Sequence, residues 1–289
     1  MTTNFSLKDL LQKAPELISL PEVFIKLNQL VNDRSSSVSD IAGLIETDPA
    51  LTIRLLRLVN SSYYGFDSSI DTVSRAISLI GTCELRDLAL ATATANSFNR
   101  LDKHLPDMRQ FQHHSLYTGL CARLLAEQCG QTRTENFFVS GLLHDIGKLL
   151  LYLTMPECCN RIHECAMASD AIPYLLEHEE LGYSHAEIGG MLAEQWHLPD
   201  NLVNAIRHHH EPVHTRRYQL DATIIHVANF IAHSMDPEDS LYATNVTPLD
   251  PESWNTLNLQ PDVIDTVMEK SGQLFSEMQK ALFPQLQAA

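Results

Sequence analysis

The stretch GLLHDIGKLLL, residues 141–151, sets a histidine and an aspartate side by side in an otherwise apolar run. Such a pair is poorly solvated there and costs free energy unless a partner satisfies it. A metal ion or an anion is the partner that the pairing suggests. Of the 14 histidines, four more stand where helices could bring them alongside: His114, His185, His209 and His210. Neighbouring side chains on a helix point about 100° apart, so His144 and Asp145 can both reach one ion lying over the helix flank. A nitrogen-rich set with one carboxylate suits iron, zinc, manganese or nickel better than magnesium or calcium. The run His208-His209-His210 also has a plainer reading, as an exposed helix end that complements the helix dipole. His104, His113, His163, His197, His214, His226 and His233 read as ordinary surface or core residues, and His178 is left open.

The elements that must carry these residues read almost entirely as helices. Residues 20–32 place Val23, Leu27, Leu30 and Val31 on one face. SSSVSDIAGLIETDP opens on cap-forming serines and stops at Asp48-Pro49. ALTIRLLRLVNSS follows as a strongly apolar helix, whose terminal Asn60 and Ser61 are expected to bond to backbone rather than to ligand. The polar stretch around residues 99–108 reads as a joint between two helical lobes. Beyond it, FQHHSLYTGLCARLLAEQCG carries His114, and TENFFVSGLLHDIGKLLLYLT reads as one continuous helix carrying His144 and Asp145. Helices at about 184–196 and 199–209 carry His185 and the pair His209-His210. Residues 235–253 read as a surface loop. A closing amphipathic helix at 261–283 has Val263, Val267, Leu274 and Met278 as inner candidates. No alternating apolar–polar run of strand length appears, so the expected class is all-α. The expected division is an N-terminal helical lobe over 1–100, a second lobe over 101–235, and a loop and C-terminal helix over 236–289 packed on that second lobe.

Composition bounds the partners. The 289 residues are 44% hydrophobic, enough for a sizeable core, and the formal net charge is −16. Nucleic acid and anionic lipid both require clustered Lys and Arg, so neither is an expected partner. The six cysteines form no C-x-x-C pair and read as reduced thiols of a cytoplasmic protein. MTTNFSLKDLLQKAPEL lacks the apolar core of a signal peptide, and no apolar run is expected to span a membrane.

Taken in order, His114, His144-Asp145, His185 and His209-His210 resemble the HD superfamily of metal-dependent phosphohydrolases. The HDIGK form is similar to that of the HD-GYP cyclic-di-GMP phosphodiesterases. LPEVFIKLNQLVNDRSSSVSDIAGLIETDPALTIRLLRLVNSSYYGF followed by IDTVSRAISLIG resembles the HDOD family, the HD-related output domain. The resemblance covers about residues 14–235. It implies an HD-like helical core with an added N-terminal lobe. It also implies one or two divalent transition-metal ions held by His114, His144, Asp145, His185, His209 and His210, with the triple histidine leaving the register open by one. Lys148 matches the lysine that contacts phosphate. Two departures stand out. Asn229, in HVANFIAH, occupies the place where HD enzymes carry a metal-binding aspartate, and an amide oxygen brings no charge. The GYP segment is replaced by EPVHTRRY. The family implies a signalling or regulatory module whose partner is a protein or a nucleotide, with the N-terminal lobe as the interaction surface. The alternative it implies is a phosphohydrolase acting on a nucleotide or cyclic dinucleotide, with Asp145 and Lys148 in the chemistry.

Overall fold

Local signals start and stop the helices. Ser37 caps one helix reciprocally with Asp40, and Asp48 accepts from the amides of Ala50 and Leu51 while Pro49 opens the next. The computed structural model describes residues 7, 10–12, 14, 22–101, 108–169, 171–236 and 246–284. Its helices, in chain order, are α1 (Glu22–Asn32), α2 (Val38–Glu46), α3 (Pro49–Val59), α4 (Val73–Ile80), α5 (Thr82–Leu101), α6 (Met108–Gln128), α7 (Glu135–Leu143), α8 (Ile146–Thr154), α9 (Pro156–Ala168), α10 (Pro173–Leu181), α11 (His185–Gln195), α12 (Asp200–Arg207), α13 (Gln219–His233), α14 (Glu252–Leu257) and α15 (Val263–Leu282). No strand occurs among the described residues, so the fold is all-α. His104, most of the expected joint at 99–108, and residues 237–245 of the expected loop lie outside the described residues. Part of the remainder of that loop is helix α14.

The run ahead of the inter-lobe joint behaves as read. Leu51, Leu55, Leu58 and Val59 are buried. Asn60 donates to the carbonyls of Leu56 and Ile70 and accepts from Ile70 N, while Ser61 donates to Leu58 O. One contiguous apolar core links Phe24, Leu55 and Leu88 with Leu142, Ile188 and Phe283. A second joins Cys121 and Leu125 of α6 to Ile224 of α13 and Val267 of α15. Helix α6 is the axis of the second half, with α7, α13 and α15 packed around it. The closing helix α15 also reaches α3, and the Ser62 amide donates to the Glu277 carboxylate at 3.1 Å. Val267 and Met278 are buried in α15, whereas Val263 and Leu274 are half-buried.

One expectation about helices fails at the place that matters most. TENFFVSGLLHDIGKLLLYLT is not a single helix: α7 ends at Leu143, α8 begins at Ile146, and His144-Asp145 form the break. Asp145 leaves the helical region at φ −97°, ψ 12°, while its carbonyl accepts from Lys148 N to start the next turn. The two-helix stretch Glu135–Thr154 is nonetheless apolar and long enough to cross a membrane by length and composition, against expectation, and 78% of its most apolar window is buried inside the fold. All six cysteines are free thiols.

Candidate metal centre

Two close backbone approaches set the site. Helices α6 and α7 cross at glycines: a Cβ on Gly141 would stand 2.7 Å from the Cα of Gly119 and from Thr118 O. That crossing brings His144, three residues on, against His114 on α6, with ring centroids 5.3 Å apart. At the start of α8, a Cβ on Gly147 would stand 2.0 Å from His185 O. The first turns of α8 and α11 therefore touch through backbone, which places His185 beside Asp145. Ser184 caps α11 reciprocally with Glu187 and so fixes where His185 begins the helix.

Six of the predicted residues converge. Ligand atoms of His114, His144 and Asp145 lie within 4.8 Å of one another, and so do those of His185, His209 and His210. Asp145 joins the two groups: its Oδ1 lies 3.2 Å from His185 Nε2 and 3.8 Å from His209 Nε2, and its Oδ2 lies 3.4 Å from His144 Nε2. Helix α12 stops at Arg207, so the histidine run is bent away from the helix, and His209 and His210 group with His185. Asn229 stands with them, its Oδ1 2.9 Å from His114 Nε2. Lys148 stands beside them, its Nζ donating to Asp145 Oδ2 at 2.7 Å.

Second bonds orient the rings. His144 Nδ1 faces Gly141 O at 2.7 Å and His209 Nδ1 faces Ile206 O at 2.7 Å. Each Nδ1 must carry the proton to donate to a carbonyl, so each Nε2 is left as a lone pair. Those two Nε2 atoms are buried without a hydrogen-bond partner and flank the buried Asp145 carboxylate, whose Oδ1 has His185 Nε2 at 3.2 Å. Buried polar atoms are normally satisfied, and two open lone pairs beside a carboxylate are what the ligands of a cation present. Burial pushes the His144 imidazole down to about 3 and holds His209 and His210 well below the usual range, so all three stay neutral and able to ligate. Burial alone would raise the Asp145 carboxyl. The ammonium of Lys148 and the hydrogen bond from His185 act against it, and the group lies well below the usual carboxylate range. For His185, burial is outweighed by Glu177, and the imidazole is raised. A divalent transition ion fits this donor set of imidazole nitrogens and one carboxylate.

An outer ring of residues escaped the sequence reading. Glu177 on α10, buried, accepts from both the amide and Nδ1 of His185, at 2.7 and 2.6 Å. Tyr174 stacks on the His210 ring at 4.2 Å, and Thr247 Oγ1 meets His210 Nδ1 at 3.0 Å. Asp236 lies 2.8 Å from His114 Nδ1, 3.3 Å from His113 Nδ1 and 3.8 Å from His233 Nδ1. His113 and His233, read as ordinary residues, both pair with this carboxylate. Asp236 lies three residues beyond the end of α13, so no helical periodicity along the sequence marked it. His226, read as ordinary, is a satisfied structural residue whose Nδ1 meets His209 O and whose Nε2 accepts from Asp250 N.

A helical HD-type core carrying clustered histidines and an aspartate behind an added helical lobe defines the class. The sequence matches the HDOD domain over residues 17–212, and the chain belongs to the HDOD family. It is similar to an uncharacterized protein of Treponema pallidum, 28% identical over 235 residues, which is 81% of this chain and 45% of that protein. The chain spans less than half the length of the curated relatives it matches. Among solved structures it is similar to a "putative phosphohydrolase" of Shewanella amazonensis at 29% identity and TM-score 0.69, covering 94% of this chain and 97% of that one. It also shares its fold with an HDOD domain protein of unknown function from Geobacter sulfurreducens at 21% identity and TM-score 0.73, covering 96% and 100%.

Proposed function

We propose that this chain is a metal-holding HDOD module that works in signalling and is not a robust hydrolase. The observation that carries the reading is the pair of buried imidazole nitrogens without a hydrogen-bond partner, His144 Nε2 and His209 Nε2, which flank the buried Asp145 carboxylate at 3.4 Å from Oδ2 and 3.8 Å from Oδ1 at the break between α7 and α8. His114, His185, His210 and Asn229 complete the set that would hold one or two ions of iron, zinc, manganese or nickel. A bound divalent metal supplies Lewis acidity and lowers the pKa of water beside it. Two features weigh against strong turnover. Asn229 leaves the pocket one negative charge short, and Lys148 is engaged with Asp145 instead of standing free for a phosphate. The N-terminal lobe is the proposed interaction surface for a protein partner. Among the described residues it carries Ile25, Val38, Ile53, Phe66 and Leu79, five of the eight large apolar side chains that are exposed.

The second reading is a phosphohydrolase or phosphodiesterase acting on a nucleotide or cyclic dinucleotide. What favours it is that Lys148 needs only to exchange Asp145 for a phosphate oxygen. Asn229→Asp separates the possibilities. A carboxylate ~4 Å from a cation gains about 4 kcal/mol per unit charge at an effective dielectric of ~20, before desolvation is subtracted. Metal content after purification without chelator or affinity resin should therefore rise, by ~10-fold in affinity, with hydrolysis of aryl phosphodiesters and cyclic di-GMP staying at background. If the pocket holds no metal, the same change adds a carboxylate beside buried Asp145 and Asp236, and the melting temperature falls with no gain in metal. Robust turnover by the unmodified protein would overturn the signalling reading.

A further inference from the structure

We propose that Asp236 supplies, from behind the His114 ring, the negative charge that Asn229 does not bring to the metal pocket. The proposal rests on the metal-holding reading above. His114 stands between two oxygens: Nε2 faces Asn229 Oδ1 inside the pocket at 2.9 Å, and Nδ1 faces Asp236 Oδ2 outside it at 2.8 Å. The Asp236 side chain is 0% exposed. Its ionic partners among the described residues are all imidazoles, those of His113, His114 and His233, and none is a lysine or arginine. A buried carboxylate that among the described residues is balanced by imidazoles alone is costly, unless one of those rings meets a cation on its far side. His114 is the ring placed to do so, because its other nitrogen faces Asn229 and the residue lies in one group with His144 and Asp145. A carboxylate on the outer nitrogen of a metal-bound imidazole fixes the ring and makes its inner nitrogen a stronger donor. With Asn229 neutral, Asp145 is the single carboxylate in the two groups that meet at the helix break, and Asp236 adds a second negative charge one imidazole away. The charge is carried seven residues further along the chain and acts through His114 instead of directly. Toward the ion held by His144 and Asp145, Asp236 is thus a positioning residue, although its own carboxylate, with His114 and His233, forms a third group close enough to hold an ion.

The test uses cobalt(II) as the probe, bound by the full chain and followed by its visible absorption and by calorimetry, with circular-dichroism melting of the metal-free protein alongside. Asp236→Asn should weaken cobalt binding about 10- to 100-fold, and Asn229→Asp in the same chain should restore most of that loss. The shift in melting temperature that cobalt produces should shrink in Asp236→Asn and return in the double variant. Cobalt affinity unchanged in Asp236→Asn overturns the proposal, even if the metal-free protein melts lower, because the residue then only pairs histidines. If Asp236→Asn does not fold, Asp236→Glu carries the test: it keeps the charge, moves the carboxylate by one methylene, and should still weaken cobalt binding several-fold. Wild-type affinity in that variant counts against the proposal. Wild-type protein that takes up no cobalt overturns this inference and the metal-holding reading together, whereas tight wild-type binding with an indifferent Asp236 overturns this inference alone.

Discussion

Gly147→Ala tests the contact on which the site's geometry depends. The added Cβ would stand 2.0 Å from His185 O, 2.8 Å from Gly189 N and 2.9 Å from the His185 carbonyl carbon. Unstrained non-bonded contacts to carbon begin at ~3.5 Å. Helices α8 and α11 would therefore have to separate by ~1 Å or more along the line to His185 O. Neither side can yield by a rotamer change, since every opposing atom is backbone and the start of α11 is pinned by the Ser184–Glu187 cap. Overpacking of this kind costs ~1–3 kcal/mol. In a protein of this size each kcal/mol lowers the melting temperature by ~2–4 °C, so a fall of about 3–10 °C is expected for the metal-free chain. The functional loss should be larger. Metal ligands must lie within ~0.2 Å of their preferred distances, and His185 Nε2, now 3.2 Å from Asp145 Oδ1, rides on the helix that moves. Cobalt affinity should fall by more than ~100-fold. The measurements are thermal melting by circular dichroism and cobalt titration by visible absorption. A Gly147→Ala protein that melts and binds cobalt like the wild type would refute the close packing of α8 on α11 as the device that sets His185.

Gly43→Ala is the complementary case: no atom lies within 4 Å of its Cβ position in α2, so the substitution should stabilise the chain by about 0.5–1 kcal/mol, read as a higher melting temperature. Asp87 is buried beside Arg86, and burial pushes its carboxyl up to about 6 against the pull of that guanidinium. A raised folded-state value means that the stability it contributes is fully present below its unfolded value, near ~4, and is lost as pH rises through about 6. Unfolding by denaturant across pH 4–7 should therefore show a component of ~3 kcal/mol that falls with rising pH in the wild type and is missing in Asp87→Asn. Equal pH slopes in the two proteins would refute it.

What was legible in the sequence was local. The periodicity of ALTIRLLRLVNSS, the capping residues Ser37 and Asp48 and the absence of alternating runs encode helices through interactions within a few residues, and those helices are present. The types and order of His114, His144, Asp145, His185, His209 and His210 were likewise legible, because an isolated His-Asp pair in an apolar run is costly wherever it ends up. Four things were decided by the tertiary structure. The apolar pattern runs unbroken through residues 135–154, yet the helix breaks at His144-Asp145. There Gly141 meets α6 and Gly147 meets α11, contacts between residues far apart in sequence. Lys148 matches a phosphate-contacting lysine by sequence, and a turn of α8 brings it within 2.7 Å of Asp145. His113 and His233 read as ordinary until the chain leaving α13 delivered Asp236 between them. Which two of three successive histidines group with His185 depended on where α12 stops. Helix formation is governed by near neighbours and so can be read along the chain. A metal pocket is a coincidence in space of side chains more than a hundred residues apart, and only the packing of α6, α8, α11 and α13 determines which lone pairs meet.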